Sequence, residues 1–181
     1  AGWTESDPLA FTEWFDQKLR VNGEQLRRLL CCLKAWADAN SAKCTMISGL
    51  AFTISCAEQC SGAQRDDVAL VWTVKRVAAL IKTRGSVLMP VHPNDDAIAK
   101  LNDAERHRFL LELESFVKQG EIAISPDTAK KRAAAIWKGL FGDRFPKYDV
   151  DTGDDSGRGG PRIGVYTERK EPSIVGGGRF A

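Results

Sequence analysis

The sequence predicts an all-α domain of about six helices, followed by a glycine-rich tail. Three observations lead there. Apolar residues recur at helical spacing along most of the chain up to Phe145. The breaks between these runs carry helix punctuation: Asp7-Pro8, Asn22-Gly23, Gly85, and Ser125-Pro126-Asp127. No part of the chain offers the strands of a parallel or mixed sheet. With 181 residues, one domain is the default, and the length suffices for a sizeable core.

Residues 1–7 are a polar lead-in with Trp3 as the one large apolar group. Ser6-Asp7-Pro8 starts a first helix, with a capping side chain ahead of a proline that suits the first turn. Phe11, Trp14, Phe15 and Leu19 share one face of it, and Asn22-Gly23 ends it. A basic helix follows to about Ala39. Its stripe is Leu26, Leu29, Leu30, Leu33 and Trp36, and Arg27, Arg28 and Lys34 lie off that stripe. Ser48-Gly49 precedes another periodic run, Leu50, Ala51, Ile54 and Cys56. Asp66-Asp67 opens a helix bearing Val68, Val71, Trp72, Val77, Ala78 and Ile81, closed by Gly85.

Residues 86–95 hold two prolines and read as an extended loop. Asn94-Asp95-Asp96 is placed to cap a helical turn through Leu101. Leu101-Asn102-Asp103 starts a helix with Phe109, Leu110, Leu113, Phe116 and Val117 on one face. Ser125-Pro126-Asp127 is expected to begin the last helix, whose face is Ala129, Ala133, Ile136, Trp137 and Leu140. The expected core is Trp14, Leu30, Leu33, Trp36, Leu50, Ile54, Trp72, Phe109, Leu113 and Trp137. Residues 1–147 form the helical domain on this basis. Residues 148–181 hold much of the chain's glycine and are expected to be a largely disordered tail, because such a composition buries too little surface to offset its ordering entropy. Ile163 to Tyr166 has room for one short strand.

Composition narrows the function. A net charge of +2 gives no support for duplex nucleic-acid binding, whereas a small anion needs only a few local cations. No run approaches the length of a transmembrane helix, and the N-terminus lacks a basic then apolar leader. The five cysteines are odd in number. Cys56 and Cys60 share an i, i+4 spacing but have no histidine near, so buried free thiols in a reducing cytoplasm are expected.

One place suggests a ligand. The N–H groups at a helix start and the helix dipole both favour an anion, and Ser48-Gly49 stands at such a start with Lys34 on the preceding helix. This pair could grip a nucleotide phosphate. The plainer alternative is a capping serine and a solvated lysine.

The runs RRLLCCLKAWAD and ISGLAFTISCAEQC resemble the C-terminal lobe of bacterial cGAS/DncV-like nucleotidyltransferases (CD-NTases). SDPLAFTEWF, RDDVAL, PVHPNDDAIAKL and GDRFP fit the same pattern, and the likeness covers roughly residues 3–147. The L-K-A-W run followed by Ser-Gly is its most specific part. The resemblance implies roles for particular residues. Lys34 would contact nucleotide phosphates, and Ser48 the donor nucleotide. Asp95, with Asp96 as the second choice, would read a base edge, since a carboxylate accepts from an exocyclic amine. Ser6 would line the same cleft at the hinge between lobes. The resemblance also implies the reaction, which would join ATP and GTP, or other nucleotides, into a cyclic oligonucleotide messenger of antiphage defence.

Such chemistry needs Mg²⁺ held by acidic residues on a sheet behind a Gly-Ser. Gly85-Ser86 has no strand-borne pair of aspartates after it, and Asp154-Asp155 sits among glycines. The resemblance therefore makes this chain a helical half whose catalytic N-terminal lobe lies elsewhere and which is inactive alone. An apolar face left open on the helices of 8–21 or 24–39 would be where that lobe docks. The tail ends in Gly176-Gly177-Gly178-Arg179-Phe180-Ala181, and some relatives are joined to other proteins through their C-terminus by a ubiquitin-activating-like partner. Ala181 is the candidate for that joining. The competing expectation is a stand-alone helical module that binds a nucleotide or a protein without catalysis.

Overall fold

The computed structural model describes residues 7–146. Ser6, the Gly-rich tail of 148–181 and Ala181 lie outside the described residues. Five helices follow one another: α1 (Pro8–Ala39), α2 (Gly49–Gln59), α3 (Asp66–Arg84), α4 (Asp103–Ile124) and α5 (Lys130–Phe141), closed by a 3₁₀ turn, Gly142–Arg144. Among the described residues no strand forms. The nearest approach is one antiparallel bridge, Leu88 to Asp96, in the connection between α3 and α4.

Where the sequence separates two N-terminal helices, the structure has one long element broken at Gly23. That residue has φ 65° and ψ −164°, backbone that is essentially closed to residues with a Cβ. The break lets the two halves of α1 take separate directions. Asp7 caps the first half, accepting from the Ala10 N–H at 2.9 Å, with Pro8 in the first turn. The second half carries the stripe, and Leu26, Leu29, Leu30, Leu33 and Trp36 are all buried. Gln25 and Arg28, beside that stripe, tie α1 to the start of α3. Gln25 exchanges hydrogen bonds with the Ala63 backbone and donates to Asp66, and Arg28 pairs with Asp66.

The core is aromatic at its centre. Trp36 packs against Phe52, Phe109 and Phe116, with ring centroids 6.5, 6.4 and 5.6 Å apart. Phe116 then contacts Trp137 and Phe141 of α5, each at 6.2 Å. These rings come from α1, α2, α4 and α5, so one cluster binds four helices. Around it Ile54, Val71, Val74, Ile81, Ile98 and Leu113 are fully buried. Helices α3 and α4 run antiparallel and touch closely. A Cβ at Gly120 would lie 2.6 Å from Val71 Cγ2, so the missing side chain sets their spacing. At the far end Asn40 is buried and donates to the backbone oxygens of Trp36 and Leu140, at 2.8 and 2.9 Å. This joins the C-terminal ends of α1 and α5.

Several expectations are corrected. Leu50 and Trp72 are 42% and 47% exposed and lie outside the core, while Trp14 is half-buried against it. Leu50 falls in the first turn of α2, at the edge of the helix packing, where solvent reaches it. Trp72 sits on the outward face of α3, between the buried Val71 and Thr73. The last helix begins at Lys130, because Ser125 to Thr128 fold into a turn that closes α4. In that turn Thr128 donates its N–H to the Ser125 carbonyl and its hydroxyl to the Ile122 carbonyl, at 3.0 and 2.6 Å. Asn102, with Glu105, forms the reciprocal capping box that starts α4.

Candidate functional site

Three segments converge on one open cleft of about 790 Å³: the first turn of α1, the start of α2, and the connection of residues 89–100. Its apolar wall includes Phe11, Leu50, Met89, Val91 and Pro93. Its polar side chains include Asp7, Thr12, Ser48, His92, Asp95, Asp96 and Lys100. Two of the predicted residues, Ser48 and Asp95, therefore face the same space although 47 positions separate them in the chain (95 less 48). Ser6 itself is not described, but Asp7 beside it lines the cleft.

Ser48 is the N-cap of α2. Its Oγ accepts from the Ala51 N–H at 3.1 Å. That leaves the hydroxyl proton and a second lone pair for a ligand at the helix start. The capping role and the ligand role are thus compatible in geometry.

Asp95 and Asp96 are neighbours with opposite commitments. Asp96 Oδ1 accepts from the N–H groups of Val87 and Ile98, at 2.9 and 3.0 Å. It caps the helical turn before Leu101, as its position suggests, and holds the connection closed. Asp95 contributes its backbone carbonyl to the Met89 N–H at 2.8 Å. Among the described residues its carboxylate has neither a salt bridge nor a hydrogen bond, and it is exposed at the cleft. Of the two, Asp95 is the carboxylate free to accept from a ligand. Asn94 holds this corner in place from a positive φ of 62°, its side chain donating to the Met89 carbonyl at 2.9 Å.

Lys34 stands on the other side of the α2 start. It lines a shallower depression of about 270 Å³ with Ala37, Asp38, Ser41 and Gly49. A Cβ on Gly49 would lie 3.9 Å from Lys34 Cε, so the lysine stem passes directly over the residue after Ser48. The Ser48-Gly49 peptide separates the two depressions. Among the described residues the Lys34 ammonium has no carboxylate partner. Its long stem allows it to swing over the helix start. The structure thus brings Ser48 and Asp95 together and sets Lys34 adjacent to them across one turn of backbone.

Lys100 was not singled out in the sequence. It lies on the turn after Asp96, lines the cleft, and also lacks a carboxylate partner among the described residues. Its signal was available: a lone basic residue five positions beyond Asp95.

Among the described residues no three His, Cys, Asp or Glu side chains are placed to hold a metal ion. The aspartates of the cleft illustrate why: Asp7 and Asp96 both commit an oxygen to backbone amides. The cysteines are free thiols with unequal surroundings. Cys56 is buried, and desolvation pushes its thiol up to about 12. Cys31 is exposed and Cys32, Cys44 and Cys60 are only partly buried, which corrects the expectation of buried thiols for all but Cys56. No helix among the described residues is long and apolar enough to cross a membrane. No protein-family model matches the chain.

Proposed function

We propose that this chain is the helical lobe of a nucleotide-joining transferase, a cyclic oligonucleotide synthase of the kind used in antiphage defence. The observation that carries the proposal is the cleft in which Ser48 and the uncommitted Asp95 carboxylate face apolar walls. A nucleobase is a flat apolar ring with a polar edge. Phe11, Leu50, Met89 and Pro93 suit its faces, and Asp95 suits an exocyclic amine on its edge. The start of α2, with Lys34 beside it, suits phosphate oxygens. The Mg²⁺ that such a reaction uses would be held by the acidic residues of a partner lobe. Leu9 and Val21, 70% and 82% exposed on the first half of α1, are apolar groups for that lobe to cover.

Isothermal calorimetry of ATP and GTP against the full chain tests this. The proposal expects weak binding, reduced about tenfold or more by Asp95→Asn, since a hydrogen bond to a charged group contributes about 1.5–3 kcal/mol. Lys34→Ala and Ser48→Ala are expected to weaken binding to both nucleotides. Absence of binding, or binding indifferent to all three substitutions, overturns the proposal for this lobe.

A second reading is a binding module without catalysis, which the same cleft supports, since its apolar walls and the Asp95 carboxylate suit a bound ligand whether or not a reaction follows. The two readings separate on whether product forms when a metal-bearing nucleotidyltransferase lobe is supplied. The proposal also extends to Ala181 as the point of joining to another protein by a ubiquitin-activating-like enzyme. Mass spectrometry of cellular conjugates should then lose the linked species in Ala181→Asp, and an undiminished species would end that extension.

A further inference from the structure

The two halves of α1 are held to the domain in different ways. None of residues 8–22 is buried, whereas the second half buries Leu26, Leu29, Leu30, Leu33 and Trp36. Polar contacts also tie the second half sideways, from Gln25 to the Ala63 carbonyl, from Arg28 to Asp66 and from Arg144 to Asp38. Among the described residues the first half has no such tie. Its hydrogen bonds stay within its own turns: the Ala10 N–H to Asp7, the Thr12 hydroxyl to the Pro8 carbonyl and the Asn22 amide to the Lys18 carbonyl. The Lys18 ammonium lies over the Trp14 ring of the same half, and the ring contacts of Phe11, Trp14 and Phe15 are with one another. This half is held down by the partial burial of Phe11, Trp14, Phe15 and Leu19 against the core. Apolar contact is non-directional, so it resists tilting far less than a hydrogen bond does.

Gly23 joins the halves. It is exposed, its φ of 65° and ψ of −164° interrupt the helix, and a Cβ there would meet nothing within 4 Å. No neighbour wedges the angle between the two halves, and glycine leaves the backbone its widest range of dihedrals. A hinge is such a place, where one or two residues absorb the change in φ and ψ for a whole element. The far end of the first half is a wall of the cleft, through Asp7, Pro8, Phe11 and Thr12. The remaining walls, at the start of α2 and in the 89–100 connection, rest on the core through the buried Phe52 and Ile98. One wall is therefore free to tilt and the others are fixed. Twelve residues separate Phe11 from Gly23 (23 less 11). At about 1.5 Å per residue that is an arm of about 18 Å, so a rotation of about 10° at the break carries Phe11 through about 3 Å. Such a step takes a ring from the side of an open cleft into contact with a base held there.

We propose that residues 8–22 are an arm hinged at Gly23 that closes the cleft over a bound nucleotide, swinging Phe11 toward the wall that carries Ser48 and Asp95. This rests on the reading of the cleft as a nucleotide site and gives that site a moving wall.

Pulsed electron–electron distance measurements on the full chain test it. Spin labels carried on an unnatural ketone side chain at Glu13 of the arm and Lys131 of α5, both exposed, leave the cysteines untouched. A second pair, at Lys82 and Lys131, reports on the body alone. The arm pair should give a broad distance distribution in the free chain. Saturating ATP or GTP, with occupancy followed by calorimetry, should narrow it and move its centre by about 2–3 Å, while the body pair stays as it was. Gly23→Ala cannot keep the dihedrals of the break, so it should displace the arm pair in the free chain and leave the body pair in place. An arm distribution that is narrow in the free chain, that bound nucleotide leaves unchanged, or that is indifferent to Gly23→Ala overturns the hinge, while calorimetric binding still upholds the cleft. Absence of calorimetric binding to both nucleotides overturns the cleft reading, and closure over a nucleotide with it.

Discussion

Asp66 shows how one side chain can hold a junction between elements. Its carboxylate sits at the first turn of α3, where negative charge is favoured, and it accepts from both Gln25 and Arg28 of α1. The hydrogen bond from the Arg28 guanidinium is the main reason its carboxyl is held below the ordinary value of 3.8, and Gln25 adds to it. The folded carboxylate therefore takes up its proton at a lower pH than the unfolded one. The stability it contributes is complete above about pH 4 and drains away as pH falls through the lowered value. Both partners are about half exposed, so the contribution is about 1 kcal/mol or less. Urea titrations across that range should show Asp66→Asn less stable than the original chain at neutral pH, with the gap closing as acid is added. A gap independent of pH would mean that the carboxylate's charge contributes nothing. The same residue-by-residue reasoning separates Asp95 from Asp96, which the sequence presents as near equals. Nothing in the string Asn94-Asp95-Asp96 states that one carboxylate will be taken up by the amides of Val87 and Ile98. That follows only from the bridge between Leu88 and Asp96, a contact across the loop.

At the scale of elements, two glycines act through opposite physics. Gly23 has open space where its Cβ would stand, so Gly23→Ala meets no clash. It instead forces a side chain onto φ 65° and ψ −164°, with an expected cost of about 1–3 kcal/mol. Gly120 has ordinary helical backbone, but its added methyl would press on Val71 from 2.6 Å. Gly120→Ala is expected to cost about 1–3 kcal/mol by overpacking. Thermal denaturation of Val71→Ala alongside both variants separates the causes. Val71→Ala should offset much of the Gly120→Ala loss and none of the Gly23→Ala loss. Equal offsets would refute the assignment. The helices themselves were legible wherever a stripe faced the common core, as with Leu26 to Trp36 and Phe109 to Phe116. Trp72 and Leu50 misled because apolar residues at helical spacing do not reveal which neighbour lies opposite. Ser125-Pro126-Asp127 resembles a helix start, yet the Ile122 carbonyl at the end of α4 took the Thr128 hydroxyl and made a turn.

For the described domain, the decisive feature is that four of its five helices share one aromatic node. Trp36 and Phe116 are almost completely buried, and between them they touch rings from α2, α4 and α5. The cleft depends on this node at one remove. Ser48 and Asp95 sit on segments with little secondary structure of their own near the cleft. Their separation is set by how α2 and the 89–100 connection rest on the core through Phe52 and Ile98. That is why the residue types of the site could be proposed from sequence while their meeting could not. Meeting is a property of long-range packing, and no local pattern encodes a distance between positions 48 and 95. Phe116→Ala removes the ring that links Trp36 to α5 and is expected to cost about 3–5 kcal/mol. Because the node is shared, the loss should appear as one cooperative transition moved to lower denaturant. Far-UV helicity and near-UV tryptophan signals should shift together. If near-UV signals were lost well before helicity, α5 would be packing as a separate unit. The node would then not be what fixes the distance across the cleft. A smaller substitution, Phe116→Leu, keeps most of the volume and should move the same single transition by less.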